Sequence, residues 1–402
     1  MVSLPPAARR YLLSVAVSRF GTGLTLPFTL ILLHEVRGIP LPTVGLLLAI
    51  PGAVGLATVP LGGVLIDRFG ARTVLAGCLL MQAAGQASLA FATRPGLALI
   101  ALLLNGVGIG PSFPAGNALL GGLVSEPSQV GRAYGLQFTA INAALGVGTL
   151  VSSAVVDVHR AATFEALFVA CAVACVIQVL LLPPAVRRSR SADAGPSSYR
   201  EVLADKAFRR VCMAAFLFAM TGYAALDSGF PAFARVEGSV SPSTIALAFT
   251  VNTVLIVSLQ LPILGWVRHW RRTQALALSA SLWGLSWLLL GLHPSTPVVL
   301  VFAALFGLGE VFQSPAMQPL VNALASDQLR GRYNAMSGAM FSVAFVVSPA
   351  LSGVLIGNGL GWVWIAFLVG GSVLTASVLL SLRSQLTDLQ DGLLSATAPV
   401  PG

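Results

Sequence analysis

Twelve long apolar runs, separated by short polar turns, occupy the chain from residue 11 to residue 382. They cover residues 11–33, 43–66, 72–91, 97–124, 133–156 and 164–184, and then 209–234, 243–266, 273–292, 297–323, 333–356 and 361–382. The hydrocarbon core of a bilayer is about 30 Å thick, and roughly 20 apolar residues of α-helix cross it. The pattern therefore predicts an all-α membrane protein with twelve transmembrane helices, called spans one to twelve below. The first run is too long for a signal peptide and is interpreted as a span.

The longest polar interval divides the spans into two sets of six. We therefore predict an N-terminal six-helix bundle over residues 1–184, a linker over 185–208, a C-terminal six-helix bundle over 209–383 and a tail over 384–402. The tail is polar, and we expect it to be disordered.

Composition supports a membrane protein independently of the runs. Hydrophobic residues make up 56% of the chain and charged residues only 9%, whereas soluble domains carry roughly 25% charged residues. The net charge of +9 lies in short loops between the runs. Because it does not form one basic face, it predicts the lipid bilayer, and no nucleic acid, as a partner.

The distribution of basic residues predicts the orientation. With the N-terminus inside, the inner loops and tails hold 18 of the 23 lysines and arginines, the outer loops hold four, and Arg19 lies within span one. Basic residues concentrate in cytoplasmic loops. We therefore expect both termini in the cytoplasm, in the cell (inner) membrane of a bacterium.

The two halves resemble each other in sequence. Arg72-Thr73 recurs as Arg272-Thr273, Gly131-Arg132 as Gly331-Arg332, and Gly106-Val107-Gly108 with Pro114 as Gly307-Leu308-Gly309 with Pro315. The offset is 200 or 201 residues, half of the chain. Internal repeats of this kind are typical of transporters that carry a central substrate site between two bundles.

A short motif joins spans two and three. It reads Gly63, Asp67, Arg68, Gly70 and Arg72, with other residues between them. Gly63 allows close helix packing, Gly70 permits a tight turn, and Asp67 suits the N-terminus of a neighbouring helix. We predict that these five residues form a gate motif; the alternative is an ordinary basic cytoplasmic turn.

This motif is similar to the Gly-xxx-Asp-Arg-x-Gly-Arg-Arg/Lys loop of the major facilitator superfamily, although Ala71 replaces the first of two basic residues. The resemblance covers nearly the whole chain. Within the superfamily the chain most resembles the twelve-span drug/proton antiporters, through Gly307-Leu308-Gly309-Glu310 and the following Pro315. It departs from them at Leu102, where an arginine is common, and in span five, which lacks the proline of their signature.

Three charges fall inside spans, where charge is costly and usually functional. They are Arg19 in span one, Asp227 in span seven and Glu310 in span ten. The resemblance implies that spans one, four, seven and ten line a central cavity. Residues predicted to form the substrate cavity are Arg19, Asn105, Asn117, Tyr223 and Phe312.

A carboxyl in an apolar cavity resists ionisation, so it can exchange a proton near neutrality. In related exporters an acid at the position of Glu310 is implicated in proton coupling. We predict Glu310 as the main proton-coupling residue. Asp227 is the second candidate, and its place near the outer end of span seven favours an outer-gate or solvated role instead. The alternative is a fixed ion pair of Glu310, with Arg19 as the candidate partner.

No enzyme motif occurs in the sequence, which has neither His-Glu-x-x-His nor a Gly-x4-Gly-Lys-Ser/Thr phosphate loop. We therefore predict no catalytic residues, no metal site and no cofactor. The predicted function is proton-coupled efflux of small, partly apolar compounds by a monomeric secondary transporter. Its partners would be the substrate, protons and the bilayer. A nutrient importer or facilitator on the same fold, and a non-transporting membrane sensor, are the alternatives.

Overall fold

The structure, a computed structural model, describes residues 4–124, 127–184, 199–267, 269–325 and 329–393. Within these ranges the ordered elements are helices and no strand occurs. Eleven helices are long and apolar enough to cross a membrane, and a twelfth span is formed by a pair of helices bent by 43°. The predicted all-α architecture of twelve spans is confirmed.

The first half contains spans one to six. Their bounds are Pro6–Thr25 with Thr29–Val36, then Leu41–Phe69, Ala71–Ala90, Pro95–Leu123, Pro127–Val155 and Ala161–Leu181. Proline stands in the first turn of several of these helices. That position suits proline, since the first N–H groups of a helix have no partner within the helix.

The second half contains spans seven to twelve. Their bounds are Lys206–Val236, Pro242–Val267, Arg272–Leu292, Thr296–Leu324, Arg330–Gly357 and Gly361–Leu382. Part of the predicted linker lies outside the described residues. Its described end forms a short helix, Tyr199–Ala204, and Asp205 caps span seven through a 3.0 Å hydrogen bond from the Phe208 backbone.

The spans alternate in direction, so the bundle has two faces. We call the face that carries the linker the linker face, and the other the opposite face. Near the opposite face, the backbones of the two halves are in contact at Gly45 of span two and Gly353 of span eleven. A Cβ atom added to Gly45 would lie only 2.7 Å from the Cα of Gly353, so no side chain fits between them. Spans five and eight also meet there, where the hydroxyls of Thr149 and Thr250 are 3.1 Å apart.

The halves separate toward the linker face. Four glycines lie near that face in spans two, five, eight and eleven. In the described part of the chain, a Cβ added to any of them would have no neighbour within 4 Å beyond its own helix backbone; they are Gly63, Gly135, Gly265 and Gly338. The structure is therefore closed at the opposite face and open at the linker face.

The first residues after span twelve fold back onto the second half. Asp391 is fully buried, and its carboxylate accepts hydrogen bonds from the backbone N–H of Thr273, at 2.9 Å, and from the Thr273 hydroxyl, at 2.8 Å. The expectation of a disordered tail was therefore wrong for residues 384–393. Residues 394–402 lie outside the described residues.

Candidate functional site

A cluster of polar side chains surrounds Glu310 in the second half. The side-chain amide of Asn252, in span eight, donates a 2.6 Å hydrogen bond to Glu310 Oε2. Tyr223 and Asp227, both in span seven, lie close enough to interact electrostatically with Glu310. The Tyr223 hydroxyl also donates to Gln313 Oε1 at 3.1 Å. Three spans, seven, eight and ten, thus contribute residues to one partly buried carboxyl site because they pack together.

Close packing by glycine brings span ten to its neighbours. A Cβ on Gly307 would lie 3.0 Å from the Asn252 amide, and one on Gly309 would lie 2.5 Å from the Trp283 ring. The Trp283 indole N–H donates to the Phe306 carbonyl at 2.9 Å, which fixes the ring in place. Small residues here let spans eight and nine approach Glu310 and reduce its contact with water.

Span seven is not a regular α-helix around the site. The backbone N–H of Ala224 bonds to the carbonyl of Ala219, and that of Phe230 to the carbonyl of Ala225, five residues earlier in each case. Such widened turns are rare and often occur at functional sites. Tyr223 lies in the first widened turn and Asp227 in the second.

The first half contains a cavity of about 250 Å³. It is lined by Tyr11, Val15, Ser18, Arg19, Thr22, Leu75, Leu79, Gln82, Ser112, Phe113, Gly116, Asn117, Tyr134, Gln137, Phe138, Ile141, Cys175 and Gln178. Arg19 is the one charged residue among these described residues. Phe113 and Phe138 are also exposed, so the cavity communicates with the outside.

The structure groups the predicted cavity residues unevenly. Arg19 and Asn117 share the first-half cavity, whereas Tyr223 lies beside Glu310 in the second half. Asn105 is buried against span three, where Gln86 donates to its side-chain oxygen at 3.4 Å. Phe312 stacks on Trp270 with ring centroids 6.0 Å apart.

No ion pair joins Arg19 to Glu310 among the described residues. Glu310 is held by Asn252, and Arg19 lies in the first-half cavity. In this state of the protein, the fixed ion pair considered from the sequence is absent.

The gate motif lies on the open side of the bundle. Asp67 and Arg68 belong to the last turn of span two, and both are exposed. Gly70 follows with φ +80°, a conformation that residues with a Cβ rarely adopt. The Arg72 side chain donates through Nε to the Pro183 carbonyl at 2.9 Å, which ties the start of span three to the end of span six.

An ion pair joins the two halves at the opposite face. The guanidinium of Arg235, at the end of span seven, donates through Nε to Glu35 Oε1 at 2.6 Å and through a second nitrogen to Glu35 Oε2. We call this pair the latch. A second pair nearby, Arg37–Glu165 at 2.8 Å, lies entirely within the first half.

Several of these polar residues did not stand out in the sequence. They are uncharged and lie within apolar runs, where a charge is more conspicuous than an amide: Asn252, Gln313, Gln82 and Gln178. An amide side chain inside an apolar run is the signal that would have found them, since buried amides need hydrogen-bond partners. Among the described residues no group of three or more metal-binding side chains occurs.

The fold consists of two repeated six-span bundles, which meet at one face and separate at the other. Polar side chains lie within the spans. These features define a membrane transporter. The sequence profile described as Major Facilitator Superfamily matches residues 11–240 and again residues 236–392. The chain belongs to this superfamily.

Similar proteins agree with this assignment. Multidrug resistance protein MdtH of Aeromonas salmonicida (strain A449) is 30% identical over 330 residues, which are 80% of this chain and 80% of that protein. Multidrug resistance protein MdtH of Proteus mirabilis (strain HI4320) is 27% identical over 311 residues, 75% of this chain and 73% of that protein.

Solved structures share the fold. The crystal structure of nucleoside transporter NupG matches with a TM-score of 0.76 at 15% identity, over 94% of this chain and 99% of that one. An auto-inhibited POT family peptide transporter matches with a TM-score of 0.75 at 14% identity, over 98% and 99% of the two chains. At these identities the likeness concerns the fold alone.

Proposed function

We propose that the protein exports small, partly apolar compounds in exchange for protons. The observation that carries the proposal is the hydrogen-bonded carboxyl of Glu310 inside span ten, with Asn252, Tyr223 and Asp227 around it. The likeness to multidrug resistance proteins supports efflux as the direction and partly apolar compounds as the substrate class.

The surroundings of Glu310 suit a group that binds and releases protons. An ionised carboxyl in an apolar span is costly, and a second carboxyl nearby adds repulsion. The Asn252 amide offsets part of this cost by donating to the charged form. Both the protonated and the ionised forms are therefore accessible to Glu310, and Asp227 is its proposed secondary partner.

Coupling requires that the proton affinity of this carboxyl differ between the two states of the transporter. Span eight supplies Asn252 and also takes part in the contact between the halves, through Thr250. Rocking of the halves opens and closes the space between them, and it would therefore change the access of water to Glu310. A difference in proton affinity between two conformations ties proton movement to the conformational cycle.

We further propose that the linker face is cytoplasmic, that the protein lies in the inner membrane of a bacterium, and that it works as a monomer. The excess of basic residues on the linker face supports this orientation. The structure then represents a state that is open to the cytoplasm, from which a substrate to be exported can enter.

Transport by purified protein in liposomes tests the proposal. A fluorescent lipophilic dye inside or outside the vesicles is followed while a pH gradient is imposed, and a pH-sensitive dye follows protons in the same vesicles. The wild-type protein should accumulate the dye uphill and dissipate the pH gradient at the same time. Glu310→Gln should retain passive exchange and lose uphill accumulation.

The matched control is Asp157→Asn, which neutralises an exposed carboxyl that lies outside the Glu310 site. It should still accumulate the dye uphill. Uphill accumulation by Glu310→Gln at the wild-type rate would refute the assignment of this residue. If the rate of dye exchange by the wild-type protein does not depend on the pH gradient, the protein is instead a facilitator.

A further inference from the structure

The cavity around Arg19 in the first half is a second polar site, separate from the carboxyl cluster of Glu310. We infer that it binds the negatively charged group of amphipathic organic anions, with Arg19 as the group that recognises the charge. The inference rests on the proposed function as a transporter, and it names a substrate class for it.

The charge balance of the cavity is the first argument. Arg19 is the one charged side chain among the described lining residues, and no carboxylate lies opposite it. Its Nε is buried and has no hydrogen-bond partner in the described part of the chain. A guanidinium without a counter-charge inside a membrane span is costly. A ligand that brings a carboxylate or sulfonate into the cavity relieves this cost, and arginine can bind such groups with two parallel hydrogen bonds.

The neutral polar groups of the lining are the second argument. Ser18, Asn117 and Gln178 line the same cavity and carry hydroxyl or amide groups. Amide and hydroxyl groups can donate to an anion without adding opposing charge. The Tyr134 hydroxyl already donates to the Asn117 carbonyl at 3.0 Å, which helps to hold this wall of the cavity in place.

The apolar part of the lining is the third argument. Leu75, Leu79, Phe113, Phe138 and Ile141 present aliphatic and aromatic surface to the same space. An apolar pocket with a few placed polar groups is the usual form of a small-molecule site. A purely inorganic anion would use Arg19 and leave this surface without contacts, so an anion with an attached ring fits the lining better.

The size of the cavity limits the ligand. Pockets for drug-sized molecules enclose about 300–1,000 Å³, and this cavity has about 250 Å³. It accommodates a charged group with one or two rings. A larger substrate would extend from it into the space between the separated linker-face ends of the two halves.

A pair of probes with the same shape and different charge tests the inference. Binding of 2-naphthoate and of the neutral 2-naphthamide is measured by equilibrium dialysis against the purified protein in detergent, with protein-free micelles as the background. The wild-type protein should bind naphthoate at least tenfold more tightly than naphthamide. In Arg19→Gln this preference should disappear, while the affinity for naphthamide changes by less than twofold.

A second variant keeps Arg19 in place. Gln178→Glu adds a carboxylate to the same cavity, where it can pair with the guanidinium and repel an anionic ligand. It should also lose the preference for naphthoate, and pairing of the buried charge should preserve folding. This variant decides the question if Arg19→Gln does not fold.

Three results would overturn the inference. They are equal binding of the two probes to the wild-type protein, a preference that survives in both variants, and displacement of naphthoate by an equal concentration of chloride. Glu310→Gln should keep the naphthoate preference, because Glu310 does not line this cavity. The proposal of anion binding and the proposal of proton coupling can therefore be refuted independently of each other.

Discussion

The side-chain amide of Asn252 in span eight and the carboxylate of Glu310 in span ten are joined by a 2.6 Å hydrogen bond. Asn252 is also packed against Gly307, one turn before Glu310 on the same helix. The residue therefore fixes both the position of span ten and the orientation of its carboxyl group.

Replacement of Asn252 should impair proton-driven transport. Asn252→Leu removes the donor, and loss of a hydrogen bond to a charged group amounts to about 1.5–3 kcal/mol, so we expect uphill export to fall roughly tenfold or more. Asn252→Ser, which keeps a donor, should retain more of the activity. Rates are measured in liposomes with an imposed pH gradient. Equal rates for the leucine and serine variants would show that the donor has no role.

The latch between Glu35 and Arg235 should hold the opposite face closed. Both side chains are largely buried, with exposed fractions of 22% and 20%, so removal of one partner leaves a charge poorly compensated. We expect Glu35→Gln to favour opening at the opposite face. Thr250→Cys, at a position only 7% exposed beside span five, reports this opening through its rate of labelling with a maleimide.

The matched control for the latch is Glu165→Gln. It breaks the pair with Arg37, which lies at the same face but within one half. Labelling at position 250 should rise about tenfold in the Glu35 variant, for a change of about 1.4 kcal/mol, and should stay near the wild-type rate in the control. A rise of equal size in both variants would mean general loosening of the fold.

Asp67 should act in the state that is closed at the linker face. In the present state it is exposed, and closure would bring the end of span two toward the start of span eleven. An acid near that helix N-terminus is favourable by about 0.3–1 kcal/mol. We expect Asp67→Asn to fold and insert normally, to slow transport several-fold, and to increase labelling of Gly338→Cys, which lies in the open part of span eleven.

Asp157→Asn is the control for the gate experiment. Asp157 lies near the opposite face in an exposed pair with Arg160, and such pairs contribute little. Its replacement should change neither transport nor labelling. Wild-type transport rates in Asp67→Asn would defeat the proposed gate.

The orientation can be tested by labelling intact cells. Ser191→Cys, in the linker, should react only with a reagent admitted to the cytoplasm, and Ser239→Cys, in the exposed turn between spans seven and eight, only with one applied outside. The native cysteines Cys78, Cys171 and Cys175 are buried and Cys212 is partly buried, so the background should be low. Labelling from the exchanged sides would reverse the assignment of the two faces.

The docked segment after span twelve should contribute to stability. Asp391 accepts from the N–H of Thr273, one of the N-terminal groups of span nine that lack a partner within the helix. We expect Asp391→Ala to reduce the free energy of unfolding by about 0.5–2 kcal/mol, read as a lower midpoint of thermal unfolding in detergent. Asp388→Ala removes a 70% exposed partner of Arg271 and should have a smaller effect. Equal effects of the two changes would argue against the cap.

Much of the fold could be predicted from the pattern of apolar residues, because each span must satisfy its own backbone hydrogen bonds in lipid. The helices nevertheless extend beyond the apolar runs. The apolar run of span two ends at residue 66, yet Asp67 and Arg68 form the last turn of its helix. Hydropathy detects the segment inside the membrane and not the helical turns that project from it.

The candidate site could be predicted only in part. Glu310 and Arg19 stand out in the sequence because a charge within an apolar run is conspicuous. The contact with Asn252 depends on how spans eight and ten pack, and the latch joins residues 200 positions apart. Asp391 is one acid in a polar segment, and nothing local distinguishes it from its solvated neighbours. Contacts of this kind are decided by tertiary packing.

The two widened turns of span seven determine how the following residues of that helix are rotated about the helix axis. Each takes up one residue more than an α-helical turn, and one residue corresponds to about 100° around the helix axis. Arg235 lies beyond both turns, so the direction in which it points toward Glu35 depends on them. Tightening of either turn would swing Arg235 around the axis and away from its partner without any tilt of the helix. Asp227 lies within the second widened turn. A change of hydrogen bonding at Asp227 can therefore reach the opposite face as a twist of a single helix.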